Sequence, residues 1–367
     1  MSLAFNRQVP IRQSYYLIAI ALIGFYCVYV LAPIAAGTAE PGSPIYTVSL
    51  YIVFTGFWLL FLPSISNSDL RSIADISILS AWAVLLYALA IMASAWGMIP
   101  FQVVDIYSLV TPVGVDVANI GLASSTLSAL LFTAPILTYV YLAKPTFVRI
   151  VAIGLFWIGI IVLGRRSALL GLMIAFALIL FTAGTSVRKF FNIIAILIAL
   201  SATGGVAVAL NIGGVQTVLT KRIDQFDLVN EPERIGQTLA LLADFNDRPL
   251  LGHGLGTATS VIRNDDKPWR YEMSIPAALF RYGVVGYSIL WALVGVPMIY
   301  CLRHFRKAEI HVQALICGVA TQFCAYIVNP VFDTFDTAFQ FFLPVFLASY
   351  LAVDKDRKQN SINPVSE

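Results

Sequence analysis

Two adjacent arginines, Arg165 and Arg166, stand between two apolar stretches with almost no loop between them. A guanidinium is a planar group with five N–H donors, which suits it to bind a phosphate through paired hydrogen bonds. The alternative is that both side chains extend to lipid headgroups while their stems cover apolar surface. The pair predicts a site for a phosphate-bearing ligand, with headgroup contact as the other interpretation.

A carboxylate that could act as a general base is Glu272, which follows Trp269-Arg270-Tyr271 and begins another apolar stretch. Partial desolvation at a membrane–water boundary makes such a carboxylate more basic, which suits proton transfer from a hydroxyl. Simple capping of a helix N-terminus is the alternative. His253, within a glycine-rich turn, is a second candidate for the base and is otherwise a polar turn residue.

Further arginines are candidates for binding an anion. Arg222 and Arg234 precede or begin a predicted helix, and the alternative for each is a surface pair with Asp224 or Glu231. Arg281 lies inside an apolar stretch, where a charge marks a candidate functional site. We expect it to contact a carboxylate, for which Asp333 and Asp336 are candidates. Those two aspartates and three unclustered histidines do not predict a metal site.

The elements that position these residues are predicted from hydropathy. Of the 367 residues 59% are hydrophobic and only 12% are charged, and the mean hydropathy is +0.83. A soluble domain has about 25% charged residues, so the composition excludes an ordinary soluble protein. We predict an all-α polytopic membrane protein whose residues 1–367 form a single transmembrane domain. The ten predicted spans are Tyr15–Ala36, Ile45–Leu62, Ile76–Gly97, Asn119–Ala143, Phe147–Leu163, Ser167–Gly184, Phe190–Ile212, Met273–Cys301, His311–Val328 and Thr337–Val353.

The basic residues predict the orientation of these spans. More than half of the 23 Lys and Arg side chains fall in six short segments that lie on one side if both termini are cytoplasmic. This agrees with the excess of positive charge on cytoplasmic loops. Arg165 and Arg166 are the exception, because the same topology places them on the opposite side.

One long polar segment, residues 213–272, is predicted to form a single outer loop. Asn230 and Pro232 mark a helix start, and Asn246-Asp247-Arg248-Pro249 marks its end. Between them, apolar residues recur at helical spacing, which predicts an amphipathic helix on the outer face of the bundle. The turn Leu250–Gly256 contains alternating glycines, which is a weak signal for backbone contact with an anion. The helical apolar positions are Ile235, Leu239, Leu242 and Phe245.

Taken together, three motifs resemble those of the O-antigen ligase and polymerase superfamily of bacterial inner-membrane glycosyltransferases. Gly164-Arg165-Arg166-Ser167-Ala168 resembles the Ser-Arg-small motif at a helix start, with Arg166 at the family arginine. Glu233-Arg234-Ile235-Gly236, with Pro249-Leu250-Leu251-Gly252-His253-Gly254-Leu255-Gly256, resembles the loop pattern of an arginine followed by PLLGxGxG. Glu272, followed by Gly283-Val284-Val285-Gly286, resembles the His-Asn…Gly-x-x-Gly motif. Ligases carry a histidine where this chain has Glu272, which favours the polymerase branch.

The resemblance implies a GT-C-like membrane fold and a metal-independent, inverting transfer of a glycan from an undecaprenyl diphosphate donor, with no cofactor. It implies a glycosyltransferase that polymerises lipid-linked oligosaccharide repeat units, for O-antigen or another surface polysaccharide, at the periplasmic face of the bacterial inner membrane. Glu272 is then the expected catalytic base. The expected diphosphate ligands are Arg165, Arg166, Arg222 and Arg234, with Arg270, Arg281 and His253 as further site candidates.

Two other functions stay open at this point. A ligase of the same superfamily would deliver the glycan to lipid A core or to a protein. A polytopic transporter of lipid-linked glycans or small solutes belongs to a different class, although the two halves of the chain do not resemble each other. The expected partners are the glycan donor, a glycan acceptor and the lipid bilayer, with a chain-length regulator or a flippase as further candidates. No nucleic acid is expected.

Overall fold

The computed structural model describes residues 13–57, 66–95, 124–143, 145–162, 173, 177, 232–261, 268–269, 271, 274–326, 340 and 342–352. Within these ranges the secondary structure is helical and contains no strand. This confirms the all-helical part of the predicted fold class.

Apolar helices account for most of these ranges. Three of them are long and apolar enough to cross a membrane, at Leu17–Ala35, Asn67–Tyr87 and Ser274–Lys307. Within the described parts of the chain these three are the candidate spans, and the other apolar helices are shorter. The helices are α1 (Gln13–Ala35), α2 (Ser43–Thr47, continued by a π-helical segment Val48–Phe54), α3 (Asn67–Ala95), α4 (Ser124–Ala143), α5 (Phe147–Val162), α6 (Pro232–Asp247), α7 (Ser274–His304, followed by a 3-10 turn Phe305–Lys307), α8 (Ile310–Tyr326) and α9 (Phe342–Ala352).

Helix bounds follow the apolar runs of the sequence closely for α1, α5, α7 and α8. The predicted spans Ser167–Gly184 and Phe190–Ile212 lie outside the described ranges, apart from two single positions. The total of ten spans stays a prediction.

The chain divides into two compact units. One comprises Met1–Leu70, Glu231–Val312 and Gln322–Glu367, and the other comprises Arg71–Asn230 and Gln313–Thr321. In the second unit, the indole of Trp157 donates a hydrogen bond to Thr138 Oγ1 at 3.0 Å. The Tyr139 hydroxyl donates to Gln313 Oε1 at 2.7 Å. These side-chain bonds satisfy polar groups that apolar surroundings would otherwise leave unpaired.

The first unit is built on an aromatic core between α1 and α7. Tyr29 and Tyr282 meet edge to face with ring centroids 5.1 Å apart. The Tyr29 hydroxyl donates to the Tyr282 carbonyl at 3.0 Å. Gly286, one turn along α7, lies against the same Tyr29 ring, where a larger residue would collide with it. Glycine here lets the two helices approach closely, as at many helix contacts in membranes.

Helix α6 also belongs to the first unit and packs on the beginning of α7. Its Leu241 is buried in a cluster with Ala277 and Phe280 of α7 and with Tyr271. Helix α6 ends at Asp247, where the sequence places its stop. Gln237, Ala240 and Leu241 are buried. Of the apolar row that the sequence singled out, Ile235, Leu239 and Leu242 lie on the opposite, exposed side, whereas Phe245 is half-buried.

Candidate functional site

Helix α7 is interrupted at Gly283, whose φ of 63° and ψ of 179° are not helical. A break at this point frees two carbonyls before it and two amides after it. The Val284 amide donates to the Pro249 carbonyl at 2.8 Å, and the Val285 amide donates to the Leu250 carbonyl at 3.1 Å. The loop after α6 therefore takes the place of the missing helical turn on one side of the break.

The same loop serves the other side of the break. The His253 amide donates to the Phe280 carbonyl, and the Gly254 amide donates to the Arg281 carbonyl, each at 2.8 Å. In a continuous helix these carbonyls would accept from Val284 and Val285, four residues on. The break in α7 and the Pro249–Gly254 segment thus exchange four backbone hydrogen bonds.

A second helix interruption meets this loop in α1. Pro33 has no N–H, so the carbonyl of Tyr29, four residues earlier, lacks its helical donor. The Leu255 amide donates to that carbonyl at 2.7 Å. One segment of eight residues, Pro249–Gly256, hereafter the docking loop, therefore completes the backbone hydrogen bonding of both α1 and α7.

Glycine is required where the docking loop approaches the two helices. Gly252, Gly254 and Gly256 have φ values of 68°, 89° and 88°, a region that other residues rarely adopt. A Cβ at Gly252 would lie 2.5 Å from the Arg281 carbonyl oxygen. A Cβ at Gly254 would collide with the Pro33 ring.

These contacts change the interpretation of the glycine alternation. Because the amides of Gly252, His253, Gly254 and Leu255 all donate to backbone carbonyls, they are not available to cradle an anion. The sequence signal for an anion turn was wrong for these four amides. The Gly252 amide closes a local turn onto the Arg248 carbonyl, and the other three amides bind the loop to the two interrupted helices.

Arg281 lies two residues before the break and is only 5% exposed. Its Nη2 donates to the Trp269 carbonyl at 2.9 Å, and its guanidinium carbon lies 5.2 Å from the centroid of the Tyr271 ring. A cation over an aromatic face is attracted by the negative face of the ring. Arg281 therefore contacts Trp269 and Tyr271, which lie three residues and one residue before Glu272.

Tyr271 is itself held from the opposite side. Its hydroxyl donates to the Thr257 carbonyl at 2.8 Å and accepts from the Thr259 amide at 3.1 Å. Burial raises the pKa of the Tyr271 hydroxyl above its usual value of 10.0, and the positive charge of Arg281 opposes that rise. The neutral phenol is thus the favoured form, and it can both donate and accept.

His253 has a well-defined place between α6 and α7. Its Nε2 lies 2.8 Å from the Asp244 carbonyl oxygen, and its ring stacks on Phe280 at a centroid distance of 4.6 Å. A carbonyl only accepts hydrogen bonds, so Nε2 is the donor in this contact. His253 ties the C-terminal end of α6 to the docking loop.

The structure brings together part of the predicted site. His253 and Arg281 lie close together on the N-terminal side of the break in α7, because the His253 amide donates to the Phe280 carbonyl and the next amide donates to the Arg281 carbonyl. The backbone of Arg234 lies in the first turn of α6. The remaining predicted residues, Arg165, Arg166, Arg222, Arg270, Glu272, Asp333 and Asp336, lie outside the described residues.

Sequence reasoning missed Pro33, Tyr29 and Trp269 as parts of this arrangement. A proline inside the apolar run of α1 was the available signal, since it frees the carbonyl four residues earlier. Among the described residues no group of three or more His, Cys, Asp or Glu side chains is placed to hold a metal ion.

No model of a known protein family matches the chain, and no curated protein matches it.

Proposed function

We propose that this protein is a glycosyltransferase of the bacterial inner membrane that polymerises undecaprenyl-diphosphate-linked oligosaccharide repeat units at the periplasmic face. The proposal is supported by the three sequence motifs that resemble the O-antigen ligase and polymerase superfamily. Apolar helices long enough to cross a membrane are consistent with a lipid-linked donor.

The observation that carries the proposal is that two of those motifs are hydrogen-bonded to each other in the fold. The docking loop contains the PLLGxGxG pattern, and Gly283 begins the Gly-x-x-Gly pattern. Reciprocal backbone bonds join them at the break in α7. Two motifs separated in sequence thus form one structural element, and the segment that leads into Glu272 is anchored beside it through Trp269.

In the proposed reaction, Glu272 accepts the proton of a sugar hydroxyl on the acceptor. The hydroxyl oxygen then attacks the anomeric carbon of the donor and forms a glycosidic bond with inversion. The bond from that carbon to undecaprenyl diphosphate breaks, and the diphosphate leaves with the electron pair. Negative charge develops on the leaving group, which guanidinium groups already in place stabilise. Arg166, Arg222 and Arg234 supply them in this proposal, and Arg165 is the neighbouring candidate.

Arg281 has a supporting part in this mechanism. Its hydrogen bond to the Trp269 carbonyl and its contact with the Tyr271 ring hold the chain just before the proposed base. The oxygen of a general base must lie within about 3 Å of the hydroxyl oxygen whose proton it removes, so the placement of the backbone beside the base matters. Arg281 is therefore a positioning residue and not a diphosphate ligand in this proposal.

Transport is a second candidate, and the interruption of α7 favours it. Many secondary transporters bind substrate at broken helices near the middle of the membrane. In this chain the break lies next to Val284, the first exposed apolar residue of α7, and so at one end of its apolar surface. That position favours chemistry at a membrane boundary over passage through the bilayer.

The test is a reconstitution with purified full-length protein, undecaprenyl-diphosphate-linked repeat units and a metal chelator. Products are separated by gel and identified by mass spectrometry. A ladder of lipid-linked oligomers is the expected result. Transfer only to an added lipid A core acceptor would instead assign a ligase. Transport would replace the proposal if the donor moved across the membrane of sealed vesicles and no new glycosidic bond formed, either to a second repeat unit or to lipid A core.

A further inference from the structure

Helix α6 exposes its apolar row although its opposite face is packed on α7. Ile235, Leu239 and Leu242 are 54%, 62% and 38% exposed. They follow each other at intervals of four and three residues, which places them on one side of the helix. An exposed apolar row on a helix that is otherwise anchored points to contact with something besides water.

Further exposed apolar residues lie in the docking loop and next to it on α7. Leu250 and Leu251 lie three and four residues after the end of α6 and are both 65% exposed. The carbonyls of Pro249 and Leu250 accept hydrogen bonds from the first two amides after the break in α7. The exposed leucine pair therefore lies beside Val284 and Val285, which are 48% and 42% exposed.

The exposed apolar surface of α7 has the length of a membrane core. Residues 274–283 contain no exposed side chain, whereas exposed apolar residues recur from Val284 to Leu302. At about 1.5 Å per residue this band is about 27 Å long, close to the ~30 Å thickness of bilayer hydrocarbon. Basic residues follow it at Arg303, Arg306 and Lys307. Val284 thus marks the edge of the band farthest from those basic residues.

We propose that the exposed apolar row of α6, together with Leu250 and Leu251, is inserted into the lipid bilayer at that edge. The occupant of this surface is lipid, because Leu250 and Leu251 lie beside the first exposed apolar residues of a candidate membrane span. An amphipathic helix placed this way buries its apolar face about 5–10 Å into the boundary between headgroups and acyl chains. The proposal goes beyond the proposed function and does not depend on it.

The experiment places a nitroxide spin label at Leu239→Cys or Leu251→Cys. Ser260→Cys, an exposed polar position in the same segment, is the matched control. The full chain, with Cys27, Cys301, Cys317 and Cys324 replaced by alanine, is reconstituted in vesicles of phosphatidylethanolamine and phosphatidylglycerol. Collisions with oxygen, which concentrates in lipid, are compared with collisions with a water-soluble nickel chelate. We expect oxygen to dominate at positions 239 and 251 and nickel to dominate at position 260.

Two outcomes overturn the proposal. Dominant nickel collisions at positions 239 and 251 would place the row in water. Protection from both reagents would mean that protein covers it, either a partner or a second copy of this chain.

A second measurement covers the case in which the cysteine-free chain does not fold. Benzoylphenylalanine is introduced at position 239 or 251 of the chain with its native cysteines and illuminated in the same vesicles. Covalent lipid adducts at both positions, and none at position 260, are expected in mass spectra. Adducts only to protein, or no lipid adduct at 239 and 251, reject the insertion.

Discussion

The amide of Leu255 donates to the carbonyl of Tyr29 at 2.7 Å, across more than half of the chain length. The bond exists because Pro33 cannot supply the donor that a helix would normally provide. At Gly283 the same loop compensates for an interruption in α7. One loop thus supplies the missing backbone hydrogen-bond partners at an interruption in each of two apolar helices.

Replacing Gly283 with alanine should destabilise the protein. Its φ is 63°, and a Cβ would collide with the Leu250 carbonyl. A positive φ with an extended ψ costs a non-glycine residue about 1–3 kcal/mol, and the collision adds to that cost. The measurement is the thermal unfolding midpoint in detergent, together with the rate of proteolysis in the docking loop.

Gly295→Ala in the same helix is the matched control, because a Cβ there meets only the Trp291 ring at 3.6 Å. Alanine favours helix over glycine by about 1 kcal/mol, so this variant should be neutral or stabilised. Equal unfolding midpoints for the two variants would contradict the requirement for glycine at the break.

Removing the charge of Arg281 should loosen the segment before Glu272. Arg281→Met loses a charged hydrogen bond and a cation–aromatic contact, which together are worth about 2–4 kcal/mol. Tyr271→Phe keeps the ring for Arg281 but loses the hydroxyl bonds to Thr257 and Thr259. If Arg281 acts by positioning, Arg281→Met lowers kcat more than it raises the KM for donor. A change confined to KM would instead make Arg281 a donor ligand.

Stability should fall in alkaline solution through Tyr271. Burial raises the pKa of this hydroxyl in the folded protein above its usual value of 10.0, so the folded state retains the proton longer than the unfolded state. The stability that the raised pKa of Tyr271 contributes is complete below about pH 10. It is lost as the pH rises towards the pKa of the folded state. Tyr271→Phe removes this dependence. The stability difference between the two proteins should therefore shift in favour of Tyr271→Phe between about pH 9 and about pH 11, the range where tyrosine begins to ionise. A constant difference across that range would contradict the effect.

Glu272→Gln should bind donor normally and turn over slowly. Loss of a general base typically costs about 10²–10⁴ in rate. Donor binding is measured by the thermal shift on adding lipid-linked glycan, and turnover is measured by the oligomer ladder. Glu40→Gln, a carboxylate in the turn after α1, serves as the control and should retain activity. Near-normal turnover of Glu272→Gln would remove Glu272 from the mechanism and make His253 the next residue to test.

Arg166→Ala and Arg234→Ala should each lower glycan transfer by about 10²–10³ without changing the unfolding midpoint, since each removes a donor to the leaving diphosphate. Arg71→Ala, an exposed arginine on α3, is the control. Products of normal length from both variants would contradict the proposed diphosphate contacts.

The sequence predicts some of this architecture well and other parts poorly, for physical reasons. Continuous apolar runs locate α1, α5 and α7 because a membrane helix must be apolar throughout its length. Pro249 locates the end of α6 because proline disfavours a helical conformation in the residue before it. Periodicity shows that α6 is amphipathic, but the same row of leucines suits contact with protein or with lipid. The side it faces was therefore not predictable.

The docking loop was the least predictable part of the candidate site. Alternating glycines fit an anion turn and a close approach to helices equally well, and only the acceptors of their amides distinguish the two. The three amides that follow Gly252 donate to carbonyls of α7 and α1, which lie far from the loop in sequence. Arg281 itself was identified because a buried charge in an apolar stretch is conspicuous in the sequence alone.

The shared dependence of α1 and α7 on one loop has a consequence for biogenesis. During synthesis α1, a candidate membrane span, is made long before Leu255, so the Tyr29 carbonyl lacks its Leu255 donor while most of the chain is translated. Helix α7 is made after the docking loop, so the hydrogen-bond partners for its interruption are already present when it is synthesised. The backbone pairing of α1 is therefore complete only after the docking loop has been made, and a chain truncated before residue 249 lacks the donor to the Tyr29 carbonyl.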